Sequence, residues 1–400
     1  MLRSFLGTIA AMLVAVPAFA QAPNAAKLAA IRVKMQQFVD KGELGGAVTL
    51  IGRKGGIVHH EAIGFRDVEA KVDMAKDSLF RIASMTKPIT AMAVMMLAEE
   101  GKLKPGDAVE KYLPEFKNQK LVASRMGEIV TLKKPSRAIT IADLMSHTSG
   151  LPGGYPAGLG DVYGLRHRTL NETTLVISQQ PLDFEPGSKW SYCNSGIDVL
   201  GRIVEVVSGQ SYEQFLQDRI FTPLEMTDTT FKPNAEQLKR LASIYGFQDG
   251  KRTLTKTPFL AALSNSKHPI PAGGLCSTAG DLAKLYRCLL QGGTIDGKKI
   301  IGEATLAEMT KTQTGDIKTG FTDGMSFGYG FQVVKTPTGI TANLSPGAFG
   351  HGGAFGTQGW IDPKQDLFVV LMIQRTGIPN GDASTYRAAF QQLAVEALNL

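Results

Sequence analysis

The sequence predicts an α/β protein of the α+β kind. An antiparallel sheet is drawn from both ends of the chain and flanked by N- and C-terminal helices, and a mostly helical domain is inserted between. Three observations lead there. Strand patterns cluster before residue 66 and after residue 326. Helical periodicity closes both termini. Helix signals dominate from about Lys104 to Leu290, separated by polar, glycine-rich loops such as "SHTSGLPGGYPAGLGD". Residues 21–103 and 291–400 are therefore assigned to the sheet domain and 104–290 to the helical one.

Residues 1–20 stand outside this fold. Arg3, the apolar stretch "FLGTIAAMLVAVPAFA" and the small-residue ending Ala18-Phe19-Ala20 read as a secretory signal peptide. The stretch is short and carries Pro17 near its end, which argues against a stable membrane anchor. Gln21 follows, not a cysteine, so no lipid attachment is expected. The expected product is exported and soluble, in the periplasm or secreted.

Residues 24–41 then form an amphipathic helix with Leu28, Ile31, Met35, Phe38 and Val39 on one face. "GAVTLIGRKGGIVHHEAIGF" predicts a β-hairpin turning at Lys54-Gly55-Gly56. The helix in "FRIASMTKPITAMAVMMLAEEGKL" is apolar nearly all round, which implies burial on every side. Thr140 with Asp143, and Ser211 with Gln214, read as capping boxes. Ile197, Leu200, Val204 and Val207 give a helical stripe that stops at Gly209. "FGYGFQVV", "GAFGTQGWI" and "DLFVVLMIQR" predict three strands, the last two joined at Asp362-Pro363-Lys364. A last helix covers residues 384–398, with Tyr386, Phe390 and Leu393 apolar.

Charge excludes one class of function. The net charge is +7, but the basic residues are scattered and "LKKPSR" is their densest run. Nucleic-acid footprints are clustered, so no nucleic-acid partner is expected. Three cysteines, Cys193, Cys276 and Cys288, are an odd count that argues against a disulfide framework.

The chemistry begins with "SMTK". Ser84 and Lys87, at i and i+3, share one face of a helix. Serine needs a neighbouring base to become a nucleophile. A helix N-terminus adds a favourable dipole and free N–H groups for an oxyanion. Pro88 fits the first turn, where proline costs a helix least. A partly desolvated lysine there loses its proton more easily. Ser-x-x-Lys alone is weak: Ser264 and Lys267 match it too, in a polar loop with no apolar helix after it. Ser84 is distinguished by two other motifs. Tyr192-Cys193-Asn194 is the one Tyr-x-Asn of the chain and stands just before a helix. His351-Gly352-Gly353 lies where the chain enters a strand, and its glycines let a substrate approach the backbone.

The ordered set Ser84-Met85-Thr86-Lys87, Tyr192-Cys193-Asn194 and His351-Gly352-Gly353 resembles the serine β-lactamase and penicillin-recognising enzyme superfamily. It is most similar to the branch holding class C β-lactamases, D-alanyl-D-alanine carboxypeptidases, D-aminopeptidases and family VIII carboxylesterases. "LMSHTSGLP", "FEPGSKWSYCNSG" and "PAGGLCSTAGDLAKL" extend the likeness over about residues 25 to 398. The resemblance implies a β-lactamase/transpeptidase-like fold and an acyl-enzyme mechanism. Ser84 attacks the carbonyl. Lys87 and Tyr192 share the roles of base and acid, in either order. Asn194 orients Lys87 and the substrate, and the backbone N–H groups of Ser84 and Ala354 form the oxyanion hole. No metal or organic cofactor is implied, and no oligomeric state. His351 stands where class C β-lactamases usually carry a lysine, which replaces a fixed cation by a titratable group and disfavours efficient β-lactam hydrolysis. Lys318-Thr319-Gly320 precedes a strand that the family places before the third motif, and is set aside.

Esters of small acyl groups are the first expected substrates, D-amino-acid peptides or peptidoglycan stems the next, and β-lactams the last. Loops near Tyr155, Tyr163 and residues 265–275 are expected to choose among them. A non-catalytic penicillin-binding sensor is the alternative of another class, disfavoured because Ser84, Lys87 and Tyr192 are all present. "GMSFG" around Ser326 matches the nucleophile elbow of α/β-hydrolases, but a strand pattern follows it and no acid lies between it and His351. His59-His60 is a weak metal signal, because neighbours on a strand face opposite sides.

Overall fold

The computed structural model describes residues 22–156, 158–159, 167–248, 251–254, 266–320, 322–378 and 384–400. The expected signal peptide, Tyr163 and Ser264 lie outside the described residues.

Helix α1 (Ala25–Asp40) opens on Asn24, whose side-chain oxygen accepts from the Lys27 N–H. The hairpin follows as β1 (Gly46–Arg53) and β2 (Gly56–Asp67), with β3 (Val72–Asp73) beside β2. After β4 (Phe80–Arg81), helix α2 (Thr86–Glu99) is buried at every position from Thr86 to Leu97. The middle of the chain carries α3 (Ile141–Met145), α4 (Leu170–Ser178) and α5 (Asn194–Ser208). It also carries α6 (Tyr212–Leu216), α7 (Ala235–Lys239) and α8 (Ala279–Leu290). Thr140 and Asp143 form the full reciprocal capping box, Ser211 accepts from the Gln214 N–H, and α5 stops at Gly209 with φ +73°.

Four short strand pairs punctuate this region. β5 (Leu121–Met126) pairs with β6 (Ile129–Lys133), β7 (Tyr245–Gln248) with β8 (Lys251–Leu254), and β4 with β9 (Cys276–Ser277). β10 (Thr294–Ile295) pairs with β11 (Lys298–Lys299), and α9 (Glu303–Thr310) follows. The chain ends with β12 (Met325–Phe327), β13 (Gln332–Val334), β14 (Phe349–Gly352), β15 (Gln358–Asp362), β16 (Leu367–Met372) and α10 (Thr385–Ala397).

The main sheet has eight antiparallel strands in the order β12-β13-β14-β15-β16-β1-β2-β3. Its two halves meet where Leu50 of β1 pairs with Val370 of β16. One face packs on α1 and α10 through Ile31, Met35, Phe38, Trp360, Tyr386 and Phe390. The other face packs on α8 and faces the large core that holds α2 and α5. α8 therefore belongs to the sheet layer, which takes in residues 279–290 as well as those from 291 onward.

Two strand expectations need correction. "FGYGFQVV" is not one strand: Gly328–Phe331 turns the chain between β12 and β13. Gly330 has φ +74°, and a Cβ there would lie 2.5 Å from that of Ala91 on α2, so helix contact forces the turn. "GAFGTQGWI" becomes a strand only at Gln358, because Gly353 and Thr357 close a turn with an N–H to carbonyl bond of 2.7 Å. His351 and Gly352 therefore end a strand, β14, where the sequence reading had them entering one. Ser326, the serine of the false elbow, is buried in β12 beside Thr312.

Candidate active site

The turn that carries Ser84 is built under strain. The chain leaves β4, bonds Ile82 N–H to Leu275 carbonyl, and passes through Ala83 at φ +47°. That left-handed conformation costs a non-glycine residue about 1–3 kcal/mol and survives only where the surroundings enforce it. Here the Thr86 hydroxyl donates to the Ala83 carbonyl at 2.7 Å and accepts from the Leu275 N–H at 3.3 Å. Ser84 sits in a single 3₁₀ turn, Ala83–Met85, that feeds α2 from outside its first residue.

Lys87, in the first turn of α2, has no solvent exposure. Its Nζ donates to Ser84 Oγ at 3.0 Å and to the Ala272 carbonyl at 2.7 Å. Burial pushes its pKa down to about 7, against the opposing charges of Asp198 and Cys193. Asp198 is buried on α5 and accepts from the Ala272 N–H at 3.0 Å, so it fixes the residue whose carbonyl holds Lys87. Among the described residues Asn194 makes no hydrogen bond to Lys87, so the orienting role expected of it falls to Ala272. Asn194 is exposed and lines the same cavity as Ser84.

Tyr192 meets Lys87 from the other side. The Lys87 amine lies 4.7 Å from the centre of its ring. The ring is half-buried among His147, Trp190 and His351, with centroid distances of 4.6, 6.2 and 6.2 Å. Phe327 closes the group against His147 and Trp190. His351 is buried, and its Nδ1 lies 2.6 Å from the Gly352 carbonyl. A carbonyl only accepts, so Nδ1 carries the proton. Burial first, and then the Lys87 charge, push the His351 pKa down to about 3, so the ring is neutral at pH 7.

Gly353 is a glycine for another reason than substrate approach. A Cβ there would meet Thr357 Oγ1 at 2.0 Å and the Ile82 carbonyl at 2.5 Å. The turn after β14 is thereby pressed onto the residues just before Ser84, and brings Ala354 to the cavity wall. Arg387 of α10 locks it from behind: fully buried, it donates to the carbonyls of Gly353, Gly356 and Thr357 at 2.9, 3.2 and 2.6 Å.

The cavity has a volume of about 280 Å³ and is lined by Ser84, Tyr155, Asn194, Asp198, Ile270 and Phe355, with Gly153, Gly154 and Ala354 among its small residues. Lys87 and His351 are buried and do not line it. Of the expected site residues, Ser84, Asn194 and Ala354 line this cavity; Lys87 hydrogen-bonds Ser84 and lies over the Tyr192 ring, that ring packs on His351, and Gly352 and Gly353 follow His351 in the chain. Sequence reading missed Asp198, Ala272, His147 and Arg387. The first two act through a backbone peptide, and Arg387 reads as an ordinary helix cation. His147, in "SHTSG", left a usable trace: a bulky residue directly after a capped helix, where glycine is expected.

The Beta-lactamase family model matches residues 31–394. Protein Rv1367c of Mycobacterium tuberculosis is 32% identical over 387 residues, covering 91% of this chain and 94% of that protein. Among solved structures, "EstCE1, a hydrolase with promiscuous acyltransferase activity" superposes with a TM-score of 0.76 at 26% identity, over 93% of this chain and 98% of that one. Simvastatin synthase LovD of Aspergillus terreus gives 0.76 at 21% identity over 92% and 98%, a likeness of fold.

Proposed function

The chain belongs to the Beta-lactamase family of serine hydrolases, and from that premise we propose that it is a carboxylesterase acting on small acyl esters through an acyl-enzyme on Ser84. The observation that carries this reading is the fully buried Lys87 amine, 3.0 Å from Ser84 Oγ, with its pKa lowered to about 7. A lysine so placed is in good part neutral at neutral pH. One N–H stays on Ala272, and the lone pair takes the proton of Ser84. The alkoxide adds to the ester carbonyl. The backbone N–H groups of Ser84 and Ala354 receive the oxyanion, and the Lys87–Tyr192 pair returns the proton to the departing alkoxide. Water then repeats the sequence on the acyl-enzyme.

Esters are favoured over β-lactams because His351 is neutral and buried. Arg387, the nearby cation, donates to three carbonyls, so it does not present its charge to a drug carboxylate beside this motif. The similar solved structure EstCE1 is titled a hydrolase with promiscuous acyltransferase activity, which supports ester chemistry here and makes transfer to an alcohol the second reading. D-alanyl amides and β-lactams are the competing substrates. We place the enzyme outside the cytoplasm, on the strength of residues 1–20; intact-mass analysis of the exported protein should begin at Gln21.

The test is a rate comparison on p-nitrophenyl butyrate, nitrocefin and a D-alanyl anilide. The ester should have the highest kcat/KM, and S84A should lose all three activities. A higher kcat/KM on nitrocefin or the anilide would overturn the ester assignment, and turnover surviving S84A would overturn the nucleophile.

A further inference from the structure

His147 does something around Tyr192 that its sequence neighbourhood does not explain. Its backbone carbonyl accepts from the Ser191 N–H at 2.9 Å. Its ring Nδ1 accepts from the Cys193 N–H at 3.2 Å. One residue therefore holds the backbone N–H groups of both neighbours of Tyr192, Ser191 and Cys193. Its ring also packs on the tyrosine ring, with centroids 4.6 Å apart and planes tilted by 36°.

To make both hydrogen bonds, His147 adopts φ +62° directly after the Ser146 cap of α3. Glycine is the usual occupant of that left-handed position. A glycine would fit without strain but has no side chain to accept from Cys193, so the acceptor accounts for the strained choice. The clamp rests on rigid ground. Asp143 of α3 is bound by both guanidinium nitrogens of Arg137 and by Thr140, and its carbonyl accepts from the Thr148 N–H at 2.9 Å. The Thr148 carbonyl in turn accepts from the Gly187 N–H at 2.8 Å, tying the two segments together a second time.

The protonation state follows from the geometry. Nδ1 faces an N–H and must be bare, so Nε2 bears the proton of a neutral ring. Burial, then the charge of Lys87 and the neighbouring His351, hold the His147 pKa well below its ordinary value, so acid does not readily break the clamp.

We propose that His147 is a positioning residue that sets Tyr192 for proton transfer by gripping the backbone N–H groups of the residues on either side of it, Ser191 and Cys193. The inference rests on the assignment of Ser84, Lys87 and Tyr192 as the reacting set. A displacement of about 1 Å in such a group costs about 10²-fold in rate.

Two substitutions separate gripping from mere packing. H147N keeps a residue that tolerates the left-handed region and offers an amide oxygen near the place of Nδ1. H147F keeps a buried ring against Tyr192 and offers no acceptor. On p-nitrophenyl butyrate, H147F should lose about 10²-fold in kcat with little change in KM, while H147N stays within about tenfold of the native enzyme. The opposite order, H147F more active than H147N, overturns the proposal. If H147F does not fold, H147L fills the site without an acceptor and takes its place.

A readout free of turnover is the Tyr192 ring signal in tyrosine-labelled protein, assigned with Y192F. It should shift and broaden in H147F and hold in H147N. An unmoved signal with intact kcat in H147F removes the clamp and leaves the hydrolase reading standing. A moving signal in a protein inactive on every ester removes the esterase reading and leaves the clamp.

Discussion

At the scale of the residue, Lys87 decides most. In the proposed mechanism its neutral form is the proton acceptor, so kcat/KM should climb with pH through about 7 as the amine loses its proton. K87R should be inactive at every accessible pH, because a guanidinium does not give up its charge; a pH–rate profile on the ester checks both. The same shift bears on stability. The folded lysine titrates near 7 and the unfolded one near 10.5, so between those values the unfolded chain binds more protons. Native stability therefore rises with pH across that window. K87M has no such titration, so the difference in Tm, variant minus native, should grow as pH falls from 10 to 7 and level off below. Melting curves at four or five pH values would show it.

Elements matter through the turn Gly353–Thr357. It is pinned by Arg387 behind and by the Ile82 carbonyl in front. G353A forces a Cβ into Thr357 and Ile82, and overpacking of this kind costs about 1–3 kcal/mol. The displaced strand is the one that leads into Ser84, so kcat should fall as well. R387M strips three buried carbonyls of a charged donor and should cost about 3 kcal/mol or more. Urea unfolding and ester assays on the two variants test the pair. At this scale the long elements were legible: α1, the β1–β2 hairpin, α2, α5, β16 and α10 all follow from apolar spacing. The hairpin β5–β6 was not, because its residues from Ala123 to Lys133 are exposed and leave no apolar face to detect. β14 reads Phe-Gly-His-Gly and owes its strand form to neighbours on both sides.

For the whole molecule, the site was legible where a residue type is chemically required, as at Ser84, Lys87 and Tyr192. It was opaque where support comes from backbone groups or from far along the chain, as at Ala272 and Arg387. The thiols give a test of the global packing. Cys193, Cys276 and Cys288 form no disulfide and are buried, and burial pushes the thiols of Cys193 and Cys288 up to about 12. Native protein should therefore leave Ellman's reagent uncoloured, the denatured chain should titrate three thiols, and dithiothreitol should leave Tm unchanged.

The seam between β1 and β16 has a temporal consequence. Leu50 waits for Val370, and the wall beside Ser84 waits for Arg387. During synthesis Ser84 emerges early, but neither the seam nor this wall closes before residues 370 and 387 have been made. On the proposed reading, acyl chemistry at Ser84 is withheld until α10 has been made.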